Sequence, residues 1–178
     1  ETISVSTKSN FTLVRHGETE WNLSGRWQGH ADAPLSERGE EQAEALGERF
    51  KEESFDACYV SDLGRAVGTA ELMSEPSGLN FTKDERLRER DLGVMQGLTT
   101  SEMMERCPEV YDSFRNAGPD YVISEGESFR QFHGRCVEAL EDYAERHAGG
   151  RVLVVTHGGV LGAFFRYVTG IPLEAPRS

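Results

Sequence analysis

Leu13-Val14-Arg15-His16-Gly17-Glu18-Thr19 is the stretch from which this chain can be read. The apolar run from Phe11 to Val14 stops at a cation, an imidazole and a glycine. A short apolar run bounded in this way reads as a buried strand, here residues 11–15. In a parallel sheet, the loop leaving the carboxyl end of a strand is where ligands bind. There Arg15 offers a planar fork of donors that matches phosphate oxygens. His16 offers a nucleophilic nitrogen near neutral pH. Gly17 lets the backbone turn sharply and a ligand approach closely. Alone, the triplet reads better as a solvated turn after an edge strand, so the decision falls to the rest of the chain.

Three further stretches answer it. Arg151 to Thr156 carries the unbroken run Val152-Leu153-Val154-Val155, typical of a strand covered on both faces, and His157-Gly158-Gly159 follows at once. Phe55 to Val60 reads as another strand, which stops at Ser61-Asp62. A helix over 63–74 then places Arg65 in its first turn. Leu87-Arg88-Glu89-Arg90-Asp91-Leu92-Gly93 sets an acid in a loop punctuated by glycine. A parallel sheet can gather all four at one edge. Two Arg, two His and one Glu then suit phosphoryl transfer: cations neutralise the equatorial oxygens, a nucleophile takes the group, and an acid protonates the leaving oxygen.

The remaining elements alternate. Ser36 caps a helix whose apolar face is Ala43, Leu46 and Phe50. Glu75-Pro76-Ser77-Gly78 reads as a turn and Leu79–Thr82 as a short strand. Thr100 caps a short helix through Cys107, stopped by Pro108, and residues 115–127 read as loop. Ser128 with Gln131 is a capping box, opening a long helix with Phe129, Phe132, Cys136, Leu140, Tyr143 and His147 along one stripe. A last helix runs through Val160, Leu161, Phe164, Phe165 and Val168, closed by Gly170 and Pro172. Residues 17–34 form a long Gly-rich loop, of the kind that carries function. In it, Trp21 and Trp27 read as loop anchors and His30 as a surface residue with no assigned role, the rim of the pocket being its alternative place. The fold class that follows is α/β, a three-layer α/β/α sandwich around a mostly parallel central sheet.

Composition narrows the function. The chain has 178 residues, 37% of them apolar and 28% charged, which suits one soluble domain over 1–178. Its net charge of −12 argues against nucleic acid and anionic membranes as partners. That charge also makes a local cluster of Arg and His more telling. No apolar run reaches membrane-spanning length and no signal-peptide pattern opens the chain. Cys58, Cys107 and Cys136 are odd in number and widely spaced, so reduced thiols are expected, with neither a disulfide framework nor metal spacing. A cytoplasmic or other reducing compartment is the expected location.

These stretches together resemble the histidine phosphatase superfamily, also called the phosphoglycerate mutase-like superfamily. The resemblance rests on Leu13 to Asn22, Pro34-Leu35-Ser36-Glu37-Arg38-Gly39, Ser61 to Ala66, Leu87 to Gly97, Gly126-Glu127-Ser128 and Val155 to Val160, in the family's order. It implies a phosphoglycerate mutase-like fold in which His16 is phosphorylated on its ring nitrogen. Arg15, Arg65 and His157 hold the phosphoryl oxygens, and Gly158 and Asn22 lie beside them, although Asn22 is equally a turn former. Glu89 serves as proton donor and then as base for water. No metal and no cofactor are implied. The partner is a small phosphorylated metabolite, and a homodimer stays open. The family continues past the last helix, so the chain looks short at its C-terminal end.

Within the superfamily a phosphatase is expected. The mutase branch carries a longer insert before the second histidine and a Trp where this chain has His30 after Gly29. A phosphoglycerate mutase and a non-catalytic phosphate-binding module remain the alternatives.

Overall fold

A computed structural model describes residues 8–176. Four strands form one sheet in the order β1-β4-β2-β3, with every pair parallel. They are β1 (Asn10–Arg15), β2 (Ala57–Val60), β3 (Thr82–Lys83) and β4 (Arg151–Thr156). The helices are α1 (Glu20–Leu23), α2 (Glu37–Phe50), α3 (Gly64–Ser77), α4 (Thr100–Arg106), α5 (Pro108–Asn116), α6 (Phe129–Arg146) and α7 (Gly158–Thr169). Two 3-10 turns, Glu85–Leu87 and Gly93–Met95, shape the segment between β3 and α4.

The layers follow from the period of β4. Val152 and Val154 point into a core with Phe132, Tyr143, Val160 and Phe164, built by α6 and α7. Leu153 and Val155 point the other way, into a core with Val14, Ala43, Ala66 and Met73, built by α2 and α3. Burying each of these aliphatic side chains stabilises the fold by about 1.5–3 kcal/mol. A third, smaller cluster, Leu92, Met95, Met103 and Ile123, roots the excursion that carries α4 and α5. The sandwich and its parallel sheet are thus as expected. Among the described residues no helix is long and apolar enough to cross a membrane, and the three cysteines are free thiols.

Several boundaries differ from the sequence reading. The turn expected at Glu75-Pro76-Ser77 is the last turn of α3, and only Gly78, left-handed at φ 71°, ends it. Proline late in a helix loses one hydrogen bond but need not break it when the end is held by a left-handed cap. The strand expected over Leu79–Thr82 is only Thr82–Lys83. Thr99, not Thr100, caps α4, in a capping box with Glu102. Pro108 does not close that stretch; it opens α5 at the first helical position, where its missing N–H costs nothing. Residues 20–23 of the long loop form one capped turn of helix.

Candidate active site

The sheet sets the centre of the site. Register pairs Arg15 with Thr156, so the next residues, His16 and His157, leave neighbouring strands side by side. His16 N–H donates to Thr156 O, and the two imidazole centroids are 5.2 Å apart. Ser61, the residue after β2, continues the ladder by donating its N–H to Val155 O.

His16 Nδ1 lies 2.7 Å from Gly17 O. A carbonyl only accepts, so Nδ1 carries the proton and Nε2 keeps a lone pair. Burial, helped by Arg65 and Arg15, lowers the His16 pKa from 6.5 to about 4 despite the opposing Gly17 hydrogen bond. The ring is therefore neutral at physiological pH, a nucleophile with one tautomer fixed by its own backbone. His157 is fully buried. Burial first, then Arg65 and His16, pushes its pKa well below the usual imidazole range. Its Nε2 faces Ser61 Oγ at 2.7 Å, and its Nδ1 has no partner among the described residues.

Gly17 also has a packing role. A Cβ there would lie 2.5 Å from Gly39 O, and one on Gly39 would lie 2.0 Å from Glu18 O. Two glycines thus let the loop after β1 press against the first turn of α2. Glu18 O takes the Ser36 N–H, and the Gly17 N–H goes to Thr69 Oγ1. The close approach that Gly17 permits is of backbone to backbone.

Arg65 is buried at the start of α3. Nη2 donates to Gly29 O, and Nη1 donates to Ala31 O and to Asp32 Oδ1. Nε is left without a partner among the described residues. Asp32 also accepts the Arg65 N–H, and a Cβ on Gly64 would meet its carboxylate at 2.5 Å. That contact explains a glycine at a helix start, which the sequence marks only as poor helix forming.

Glu89 Oε2 accepts the Gly159 N–H and Oε1 accepts the Arg90 N–H. The carboxylate therefore sits on the first turn of α7, where the helix dipole favours an anion. Arg135 of α6 holds the loop behind it, donating to the carbonyls of Arg86, Arg88 and Glu89 and pairing with Glu127. Glu127 in turn accepts the Asp91 N–H. Glu127 thus does more than start a helix: it ties that start to the acid loop.

A cleft of about 930 Å³ collects these groups. Arg15, His16, Asn22, Arg65, Glu89 and Gly158 all line it; His157, its ring 5.2 Å from that of His16, is buried next to the lining rather than part of it. Asn22 is both things its sequence allows: Oδ1 closes the α1 capping box with Thr19, and the residue lines the cleft. His30 stands outside the lining and donates through Nε2 to Glu89 O. Trp21, against Gly97, and Trp27, edge-on to Phe114, anchor the loop and also line the cleft.

Sequence reasoning passed over Ser61, Asp32, Arg135, Arg90 and Phe114. Ser61 stood inside a quoted motif and Asp32 in the long loop before α2, but neither showed its chemistry until its partners were in place. Arg90 and Phe114 line the far wall, with the Arg90 guanidinium 5.2 Å from the Phe114 ring centroid. Among the described residues no group of three or more His, Cys, Asp or Glu is placed to hold a metal ion.

Known proteins share this architecture. The chain is 44% identical over 167 residues to the metal-independent phosphoserine phosphatase of Arabidopsis thaliana, covering 90% of this chain and 69% of the relative. It is 41% identical over 160 residues to phosphoglycerate mutase-like protein 4 of the same plant, covering 88% and 70%. The solved structure of YhfR from Bacillus stearothermophilus superposes with a TM-score of 0.84 at 38% identity, over 93% of this chain and 82% of that one. The sequence profile of the histidine phosphatase superfamily (branch 1) matches residues 11–178. Profile, relatives and parallel-sheet architecture agree, and the chain belongs to the histidine phosphatase superfamily, an enzyme family of phosphatases and mutases.

Proposed function

We propose that the chain is a phosphomonoesterase acting on a small organic phosphate through a phosphohistidine on His16. The observation that carries this is the fixed tautomer: Nδ1–H is spent on Gly17 O, leaving Nε2 as the lone pair at the cleft. Nε2 attacks phosphorus, and an N–P bond forms as the bond to the leaving oxygen breaks. Arg15, Arg65 and His157 hold the equatorial oxygens. Glu89, held by the Gly159 and Arg90 N–H groups, is the proton donor to the leaving oxygen. Water then attacks the phosphohistidine, Glu89 takes its proton, and phosphate departs. The neighbouring relative named a phosphoserine phosphatase supports release to water.

Return of the group to substrate is the second reading, supported by the relative named phosphoglycerate mutase-like. Quenching during turnover tests the shared step. Wild-type protein should yield an acid-labile, base-stable phosphohistidine and His16→Ala none; full activity in that variant would remove the proposal. Phosphate release across phosphoglycerates, sugar phosphates and phosphoserine separates phosphatase from mutase. An absence of turnover on every ester, p-nitrophenyl phosphate included, would point to a binding module.

A further inference from the structure

The proton on His157 can be placed from its neighbours. The ring is fully buried and neutral, so it carries one proton on one of two nitrogens. Nε2 faces Ser61 Oγ at 2.7 Å, and Nδ1 faces no partner among the described residues. Ser61 is itself fully buried, and the sheet fixes it through its N–H bond to Val155 O. Its Oγ already accepts the Leu63 N–H at 3.3 Å. A serine hydroxyl has one proton to give, and His157 Nε2 is the acceptor available to it among the described hydrogen bonds.

The two tautomers then differ in what they leave unsatisfied. With the proton on Nε2, Ser61 Oγ would accept twice and its own O–H would have no acceptor, while Nδ1 kept a buried bare lone pair. With the proton on Nδ1, Ser61 O–H donates to Nε2 and a single orphan remains, the Nδ1–H donor. A buried polar group without a partner costs about 1–3 kcal/mol, so the second arrangement wins.

We propose that Ser61 locks His157 in the Nδ1–H tautomer, so that His157 meets the phosphoryl oxygens as a neutral hydrogen-bond donor. Ser61 is thereby a positioning residue. The tautomer stands on burial and the hydrogen bonds; its role toward phosphoryl oxygens rests on the function proposed above. A neutral donor suits this place. An imidazolium would be repelled by Arg65 beside it, and the other tautomer would set a lone pair against anionic oxygens. Arg65 Nε is a second buried donor without a partner among the described residues, and Arg65 acts electrostatically on both histidines.

Long-range proton–nitrogen correlation spectra of protein labelled with 15N-histidine test this, with His157 assigned by the signals lost in His157→Asn. Wild-type protein at pH 7 should show Nδ1 protonated and Nε2 bare. Ser61→Ala should populate the Nε2–H form and lower kcat/KM on the order of 10²-fold, the loss that follows removal of one preorganised donor. Ser61→Thr keeps the hydroxyl and should restore both the tautomer and most of the rate. Wild-type Nε2–H, or an unchanged tautomer in Ser61→Ala, overturns the lock. If Ser61→Ala does not fold, the wild-type spectrum decides. Orthovanadate provides the separate arm: it should shift the His157 Nδ1–H resonance. If it moves neither histidine while the wild-type tautomer is as assigned, the phosphoryl-site reading fails and the lock stands.

Discussion

Gly159 N–H donates to Glu89 Oε2 across 3.0 Å, and a Cβ on Gly159 would lie 2.1 Å from Glu89 Oε1. The backbone of α7 and the carboxylate therefore share a space that admits no side chain. Gly159→Ala should push Glu89 off the helix and slow phosphorylation by alkyl phosphates on the order of 10²-fold. It should slow p-nitrophenyl phosphate much less, because that leaving group scarcely needs a proton. Gly162→Ala on the same helix, where a Cβ meets nothing within 4 Å, is the control. Burst kinetics with both esters check this. Equal slowing for both leaving groups would mean that Gly159 does not act through an acid.

His16 predicts a stability profile. Its pKa is about 4 in the folded protein, lowered mainly by burial, against 6.5 for an ordinary histidine. Between those values the unfolded chain binds a proton that the folded chain refuses. Stability is therefore lost as pH falls from 6.5 to 4, at about 1.4 kcal/mol per unit, or roughly 3 kcal/mol from this group. Urea unfolding at both pH values should show His16→Gln losing correspondingly less than wild type. The same loss in both proteins would place the acid sensitivity elsewhere.

Arg65→Lys should damage fold and rate together. A compact ammonium cannot reproduce a planar fork that reaches Gly29 O from one nitrogen and Ala31 O and Asp32 from another. Melting curves should show a cost of about 1–3 kcal/mol from the carbonyls left short of a donor. Turnover should fall on the order of 10²–10³-fold. A lysine variant with full rate would show that Arg65 supplies only a general field.

Exhaustive EDTA treatment should leave turnover intact, because guanidinium groups at Arg15 and Arg65 supply the positive charge at the cleft. Loss of activity with rescue by a divalent ion would require a different chemistry.

How much of this was legible follows the range of each signal. Period and punctuation revealed β4, α2, α6 and α7, because Val152–Val155, the Ser36 cap and the Ser128–Gln131 box are local features. Pro76 and Pro108 misled, since proline stops a helix or starts one according to what surrounds it. Arg15, His16, Arg65 and His157 could be proposed because each ends or follows a strand that the pattern exposes. Ser61, Asp32 and Arg135 could not. Their meaning lies in hydrogen bonds to residues 33 to 96 positions away, which no local pattern encodes.

The pairing of β1 with β4 also fixes when the site can exist during folding. His16 and His157 are near neighbours only once a loop of roughly 140 residues has closed in parallel register, a slow kind of contact to make. Each half of the imidazole pair is an isolated strand end until that closure. During synthesis from the N-terminus, the two rings cannot meet before β4 has emerged. Recovery of activity on refolding should therefore track the last long-range step rather than the early growth of helix.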